Sequence, residues 1–375
     1  MENNELKVFN TITINQSNPD PFTRVSGDVN GDVIKWIRQN SHRVLTKKTA
    51  EGEIAYCRLS DSGGAKYYDG TPADLTGSEG DVFVKLPRFY YTGTEGDKVD
   101  ITFSAERIND DQVEWNENTL IGAYEAYLDG DELKSISGVE STGGVSQKDF
   151  KKYARNRGSG YQLVDWQMHC VLGCLYYAMY GNTDCQSTIG LGTDSHTKAT
   201  GQTDRLGMQD TQASTNGNFQ SINFWGLENW WGNKYEWIDD YLNPANTLTA
   251  TVNDPKTRGV RDLPLQYLDS WYVKKMKFGK YLDLVKSEQY SEIGSTSTYY
   301  CDYQWWPGNI VSSPRVVMRS CYDSYTLGGV AYANALNASS DTCARIGSRL
   351  AFRGVSREIE NVEMFKSLEF EKILT

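Results

Sequence analysis

The chain has 375 residues, enough for two or three domains, with a formal charge of -11 and a pI near 4.9. A chain this acidic is not built to neutralise phosphates, which excludes non-specific nucleic-acid binding. No apolar run long enough for a transmembrane helix occurs, and the opening MENNELKVF lacks the basic-then-apolar pattern of a secretory signal.

Residues 1–78 mix short apolar alternations with turn residues. Ile12 and Ile14 predict a strand, and Asp32 to Gln39 has helical spacing through Val33, Trp36 and Ile37. Gly27 to Asp32 (GDVNGD) places Asp28, Asn30 and Asp32 as a calcium loop would. The twelfth position is Gln39 rather than an acid, so an Asx-rich turn is the simpler reading. Residues 61–80 are rich in Gly, Asp and Ser and read as a loop and domain boundary. DVFVKLPRFYY (Asp81 to Tyr91), ITFSAER and LIGAYEAYL then carry strand signals.

Ser146 is placed to cap a helix through KDFKKYARN. A longer helix is expected from about Val164 to Tyr180, ending at Gly181. It is apolar nearly all round, which predicts burial on more than one side. Residues 181–217 are polar and too long for a simple connection, so a folded surface insertion is expected. Short strands, aromatics and turns follow. The tail Arg357 to Thr375 has Ile359, Val362, Phe365 and Leu368 at helical spacing. It reads as a helix packed on the body or at a subunit contact.

The seven cysteines (57, 170, 174, 185, 301, 321 and 343) form no CxxC, which excludes a paired-CxxC zinc site. The three histidines, His42, His169 and His196, are far apart and offer little for a metal triad or a nucleophile relay. His169 and Cys170 fall in the apolar helix, where packing is the expected role. Nothing in these residues calls for a metal or a cofactor.

The composition is unusual in its aromatics: 24 Tyr and 10 Trp against 12 Phe. Tyr and Trp suit surfaces that must be both apolar and hydrogen-bonding. They are densest in FWGLENWWGNKYEW (Phe224 to Trp237), where Asn229, Asn233 and Glu236 are interleaved. Such a cluster reads as a rigid core nucleus, or alternatively as a carbohydrate platform or an amide-rich calcium site.

This motif resembles the G-N-x-x-E-W signature of the formylglycine-generating-enzyme branch of the C-type lectin fold. Gly160 to Tyr177, Pro314 to Tyr322 and Ile346 to Phe352 resemble further markers of that branch, in the same order. The resemblance implies an α+β, C-type lectin-like fold over residues 79–357. A small N-terminal attachment or oligomerisation region would precede it (1–78), and a helical tail would follow (358–375). The oxidases of the branch need a close cysteine pair for copper and oxygen chemistry, and its iron-dependent relatives need a histidine cluster. Cys321 has no second cysteine at close spacing, so the resemblance is expected to bring the scaffold without the catalysis.

Within Tyr299 to Tyr303 and Ser320 to Arg345, residues of Tyr, Asp, Cys, Ser, Asn and Ala recur without period. Adenine-directed mutagenesis of AAY codons gives NNY codons, which never encode Lys, Glu, Gln, Met or Trp. None of these five occurs from Arg319 to Arg357, where average usage would place about seven. The segment resembles the variable region of target proteins of diversity-generating retroelements, among them phage tail receptor-binding proteins and bacterial surface adhesins.

The resemblance implies a variable region over about 299–346. It further implies a ligand-binding face that includes Tyr299, Tyr300, Asp302, Tyr303, Tyr322, Asp323, Ser324, Tyr325, Tyr332, Asn334, Asn337, Ser339, Ser340 and Asp341, with Trp305 and Trp306 as fixed framework. The implied partner is a host cell-surface protein or glycan, with no nucleic acid and no membrane insertion. The implied location is a phage or prophage tail, or a bacterial surface, and a homotrimer is compatible with it. The alternatives are an oxidase of the formylglycine-generating type and a sugar-binding lectin or adhesin.

Overall fold

A computed structural model describes residues 8–49, 53–214, 216–217, 219–257, 259–265, 270–287, 294–307, 311–321 and 327–368. These residues form mostly β-sheet with few helices. No helix among them is long and apolar enough to cross a membrane.

The expected strand at Ile12 and Ile14 is Phe9–Asn15, whose inward residues alternate with half-exposed ones as one buried face requires. It pairs in register with Lys98–Ser104, opposite Val25–Gly27. Phe89–Gly93 and Val113–Trp115 complete that antiparallel sheet. Asp32–Gln39 is helical and turns Val33, Ile34 and Ile37 inward.

A second sheet corrects the boundary expected at residue 78. His42–Lys48 lies between Ile54–Arg58 and Asp81–Lys85, with Leu45 opposite both Cys57 and Val82. Strands from both sides of the boundary are thus direct neighbours. The same sheet takes in Thr119–Gly122, Tyr161–Leu163, Leu350–Arg353 and Ser356–Glu358, so early and late segments of the chain meet in it. The Gly-rich stretch 61–80 is a folded turn region. Tyr67 is buried there and donates a 2.8 Å hydrogen bond to Glu79.

Helix Gln147–Asn156 is capped by Ser146, whose hydroxyl accepts from Asp149 N–H. Helix Trp166–Tyr180 begins at Asp165 and ends at Gly181, which takes the left-handed conformation at φ 65°. Every residue from Trp166 to Ala178 is buried, as the all-round apolar pattern requires. His169, the fourth residue of the helix, is fully buried, and burial holds its pKa well below the usual imidazole value. Segment 181–217 is folded, as expected of an insertion, and part of it is anchored inside the protein. Thr183, Cys185, Thr200 and Thr203 are buried, and Trp231 Nε1 donates to Gly190 O at 2.9 Å.

The third sheet is built on Tyr235–Asn243. On one side lie Thr249–Asn253 and Val260–Pro264; on the other lie Arg315–Arg319, Ala333–Asn337, Tyr303–Trp305 and Trp271–Tyr272. Ile346–Gly347 pairs with Tyr235–Asn243 in parallel. The tail turns into a short helix, Val362–Ser367, with Val362 and Phe365 buried. Lys47 Nζ donates to the carbonyls of Phe365, Lys366 and Leu368, satisfying the free end of that helix. The tail therefore packs on the body through residue 368. Its remainder, 369–375, lies outside the described residues.

Candidate functional site

The aromatic motif forms the frame beneath the variable segment. Trp225, Trp230, Trp231 and Trp237 are fully buried, as is Glu236. The backbone bends through positive φ at Trp225 (56°), Asn229 (51°) and Asn233 (63°). Such a conformation costs a bulky residue like Trp free energy and persists only where neighbours hold it. Here Trp225 N–H donates to Asp210 at 2.7 Å, and the Arg38 guanidinium lies 4.8 Å from the Trp225 ring.

Glu236 binds two arginines. Arg349 meets it at 2.8 Å and Arg319 pairs with its other oxygen, all three side chains being wholly buried. Arg319 also lies 3.5 Å above the Trp230 ring. Arg349 donates to the carbonyls of Gly122 and Glu228, which supplies the remaining partners a buried guanidinium needs. Burial lowers the Arg319 pKa to about 10, so it remains charged at neutral pH. Arg319 and Arg349 bracket the stretch 320–348, so both of its ends are fixed to one carboxylate.

The structure separates the expected binding residues into an inward and an outward set. Tyr300, Asp302, Tyr303 and Tyr332 are buried, which corrects their assignment to a solvent-facing set. The physical reason is local. Tyr299 and Cys301 take left-handed backbone at φ 58° and 61°, and this turn aims Tyr300 and Asp302 into the protein. Tyr300 O–H reaches Gln16 at 3.0 Å, and Arg24 sits 4.3 Å from its ring. Asp302 accepts from Ala331 N–H at 2.8 Å, and burial holds its pKa well above the usual carboxylate value. The Tyr332 ring stacks on Tyr235 at 6.1 Å, and Tyr303 packs against Tyr272 and Trp305.

Tyr299 is half-buried, with Lys274 5.3 Å from its ring. Asn334 and Asn337 are half-buried on Ala333–Asn337, while Ser339 and Ser340 are exposed. Asp341 closes the turn between them by accepting from Ala338 N–H at 3.0 Å and from Asn337 Nδ2 at 3.2 Å. Tyr322, Asp323, Ser324 and Tyr325 lie outside the described residues. Sequence reasoning passed over Leu336, Thr342, Ala344 and Arg345, which are exposed in the same connection. The alternation of the strand that carries Leu336 and the absence of any apolar period after it were the available signals. Of the tryptophans expected as framework, Trp306 is buried and Trp305 is half-buried.

Cys321 is buried in a cluster with Tyr303 and Tyr332, while Cys343 is exposed. The two therefore do not present thiols to one open cleft. Burial raises the thiol pKa of Cys170, Cys174, Cys185 and Cys301. Thiols of this kind are poorly nucleophilic. Among the described residues no three His, Cys, Asp or Glu side chains are grouped to hold a metal.

A second feature is built mostly from residues outside the variable region expected at 299–346. Asp165, Gln167 and Arg353 form the floor of a polar cleft of about 770 Å³. Arg353 Nε donates to Asp165 and Arg353 Nη2 to Gln167, each at 2.8 Å. Asp165 and Gln167 are buried. A smaller cavity of about 420 Å³ shares Gln162 and Asn253 with this cleft and extends to Asp239, Asp240 and Ser339. The cleft draws on segments scattered from Arg107 to Val355, so no contiguous motif announced it.

No protein-family model matches the chain. No curated protein matches it either. Among solved structures, the chain is similar to the Major Tropism Determinant U1 variant, with 11% identity and a TM-score of 0.33 over 84% of this chain and 72% of that one. It is also similar to PvdO from Pseudomonas aeruginosa, with 13% identity and a TM-score of 0.31 over 74% of this chain and 96% of that one. Superpositions this loose assign neither a family nor a function.

Proposed function

We propose that the chain is a ligand-binding protein that displays a diversified loop on a C-type lectin-like frame of the formylglycine-generating-enzyme branch. Its place in this reading is a phage or prophage tail, or a bacterial surface, and its partner is a host cell-surface protein or glycan. The reading assigns the chain no catalytic step and no cofactor.

One observation carries it. Most of the stretch without Lys, Glu, Gln, Met or Trp, residues 320–348, runs between two arginines held on Glu236, and its residues 336–345 reach solvent. A loop fixed at both ends can change its exposed side chains without changing the core that holds it. Ser and Asn supply adaptable hydrogen bonds in such a face, and Tyr supplies stiff contact area.

The test is to sequence many copies of the gene and its neighbouring DNA. Variation should concentrate at Asn334 and at 336–345, at NNY codons, beside a reverse transcriptase and a near-copy template repeat with adenines at the variable codons. Glu236, Tyr332 and the two flanking arginines should stay constant. An invariant 336–345 with no template repeat nearby would overturn the reading.

A further inference from the structure

We infer that the polar cleft floored by Asp165, Gln167 and Arg353 binds a neutral oligosaccharide, and that this ligand extends along the shared groove towards Ser339. The second half of this inference rests on the variable-loop reading; the first half does not.

The lining decides the ligand class. Three cations (Arg107, Lys256 and Arg353) face three acids (Glu114, Asp165 and Asp254), so the cleft carries no net charge for an ionic ligand. Pro255 and Val355 are its apolar side chains and no aromatic ring among the described residues lines it, so it lacks the stacking surface of a flat cofactor and the aromatic pocket that anchors a protein partner. Asn116, Asn118, Gln162 and Asn253 add carboxamides, each of which both donates and accepts. Sugar hydroxyls do the same, and a charge-balanced set of amides, carboxylates and guanidinium is the complement they require. The volume, about 770 Å³, is in the range of small-molecule sites.

The site is also built rather than incidental. Asp165 and Gln167 are more than nine-tenths buried and are held by Arg353, so their orientation is fixed before any ligand arrives. At the lip, Asn253 donates its backbone N–H to Asp240 at 2.8 Å while its side chain is exposed. That carboxamide stands where the cleft and the smaller cavity join. The smaller cavity is also lined by Ser339, one of the exposed residues of the variable stretch. A fixed cleft can thus hold one part of a glycan chain while the variable loop reads the next.

The test uses the full chain and a panel of neutral tri- and tetrasaccharides built on glucose, mannose or galactose, with a sialylated oligosaccharide, a sulfated oligosaccharide and an unstructured peptide as controls. Binding is measured by saturation-transfer NMR and titration. At least one neutral oligosaccharide should bind. Asn253→Trp should weaken that binding at least tenfold with an unchanged melting temperature, because the Trp backbone retains the bond to Asp240. Ser339→Tyr should leave binding intact and reorder the preferred sugars. A preference for the acidic glycans or the peptide, the absence of any neutral binder, or an Asn253→Trp variant that binds as well as the original would overturn the cleft assignment. Loss of binding in Asn253→Trp with an unchanged sugar order in Ser339→Tyr would leave the cleft standing and overturn its link to the variable loop.

Discussion

Arg319 and Arg349 stand 30 positions apart in the chain, yet both guanidinium groups end on the carboxylate of Glu236. The pairing closes that stretch at its base and ties it to the tryptophan-rich frame, since Arg319 lies over Trp230 and Arg349 donates to Glu228 O. Two cations on one anion leave one surplus positive charge, which the guanidinium groups direct at the backbone carbonyls of Gly122, Asn229 and Trp230.

Removing the carboxylate should therefore be costly. Glu236→Ala leaves two buried guanidinium groups without their anion, and breaking a buried pair of this kind typically costs about 3–5 kcal/mol. A denaturant titration of Glu236→Ala should show that loss or an insoluble product. A change below about 1 kcal/mol would show that the base of the loop is held by something else.

The division between inward and outward residues gives a second expectation. Ser339→Tyr and Ser340→Asp change exposed side chains and should alter stability by no more than about 0.5 kcal/mol. Tyr332→Ala removes a fully buried ring stacked on Tyr235 and should cost about 3–5 kcal/mol. Thermal and urea unfolding of the three variants check the contrast. Equal costs across the three would show that the outward face is structural.

These contrasts mark where the sequence was legible. Helix Trp166–Tyr180 could be read because its apolar run and its Gly181 stop are local. The frame of buried tryptophans was legible for the same reason. Codon logic identified a stretch with unusual residue types, but it contains no information about side-chain direction. Tyr300 and Asp302 turn inward because of left-handed backbone at Tyr299 and Cys301, which no periodicity signals. The domain boundary failed on a similar point. Gly, Asp and Ser mark a turn well, but they do not reveal that the flanking strands will pair across it. The polar cleft was invisible because pairs such as Asp165 and Arg353 meet only through folding.

Asp302 and Gly329 are coupled by space. A Cβ at Gly329 would stand 1.9 Å from Asp302 Oδ1, far inside contact distance. Gly329→Ala must therefore push aside a buried group and should destabilise by at least about 1–3 kcal/mol, the range for overpacking. Asp302→Asn keeps the shape and the bond to Ala331 N–H while removing a proton equilibrium. Because burial raises the Asp302 pKa, the original residue loses stability as pH climbs above its unfolded value of 3.8. Asp302→Asn should be at least as stable as the original at about pH 8. A stability deficit for Asn that is equal at pH 8 and pH 5 would show that the ionised form is the native one.

Three further carboxyl groups extend that argument to the whole protein. Burial raises Asp240 and Glu125 to about 7 and Glu228 to about 6, against ordinary values of 3.8 for Asp and 4.5 for Glu. Between the ordinary value and the raised one, the folded state holds more protons than the unfolded state. Stability must then fall as pH rises through that interval and recover on acidification. The opposite group includes Asp74, held low by hydrogen bonds from Ser78 and Thr76, and its contribution is lost only below about pH 4. The melting temperature should accordingly rise as pH drops from about 8 to 5, then decline below about 4. A melting temperature that climbs steadily from pH 5 to pH 8 would require Asp240, Glu125 and Glu228 to be ionised in the folded protein, with their buried partners supplying more stabilisation than burial removes.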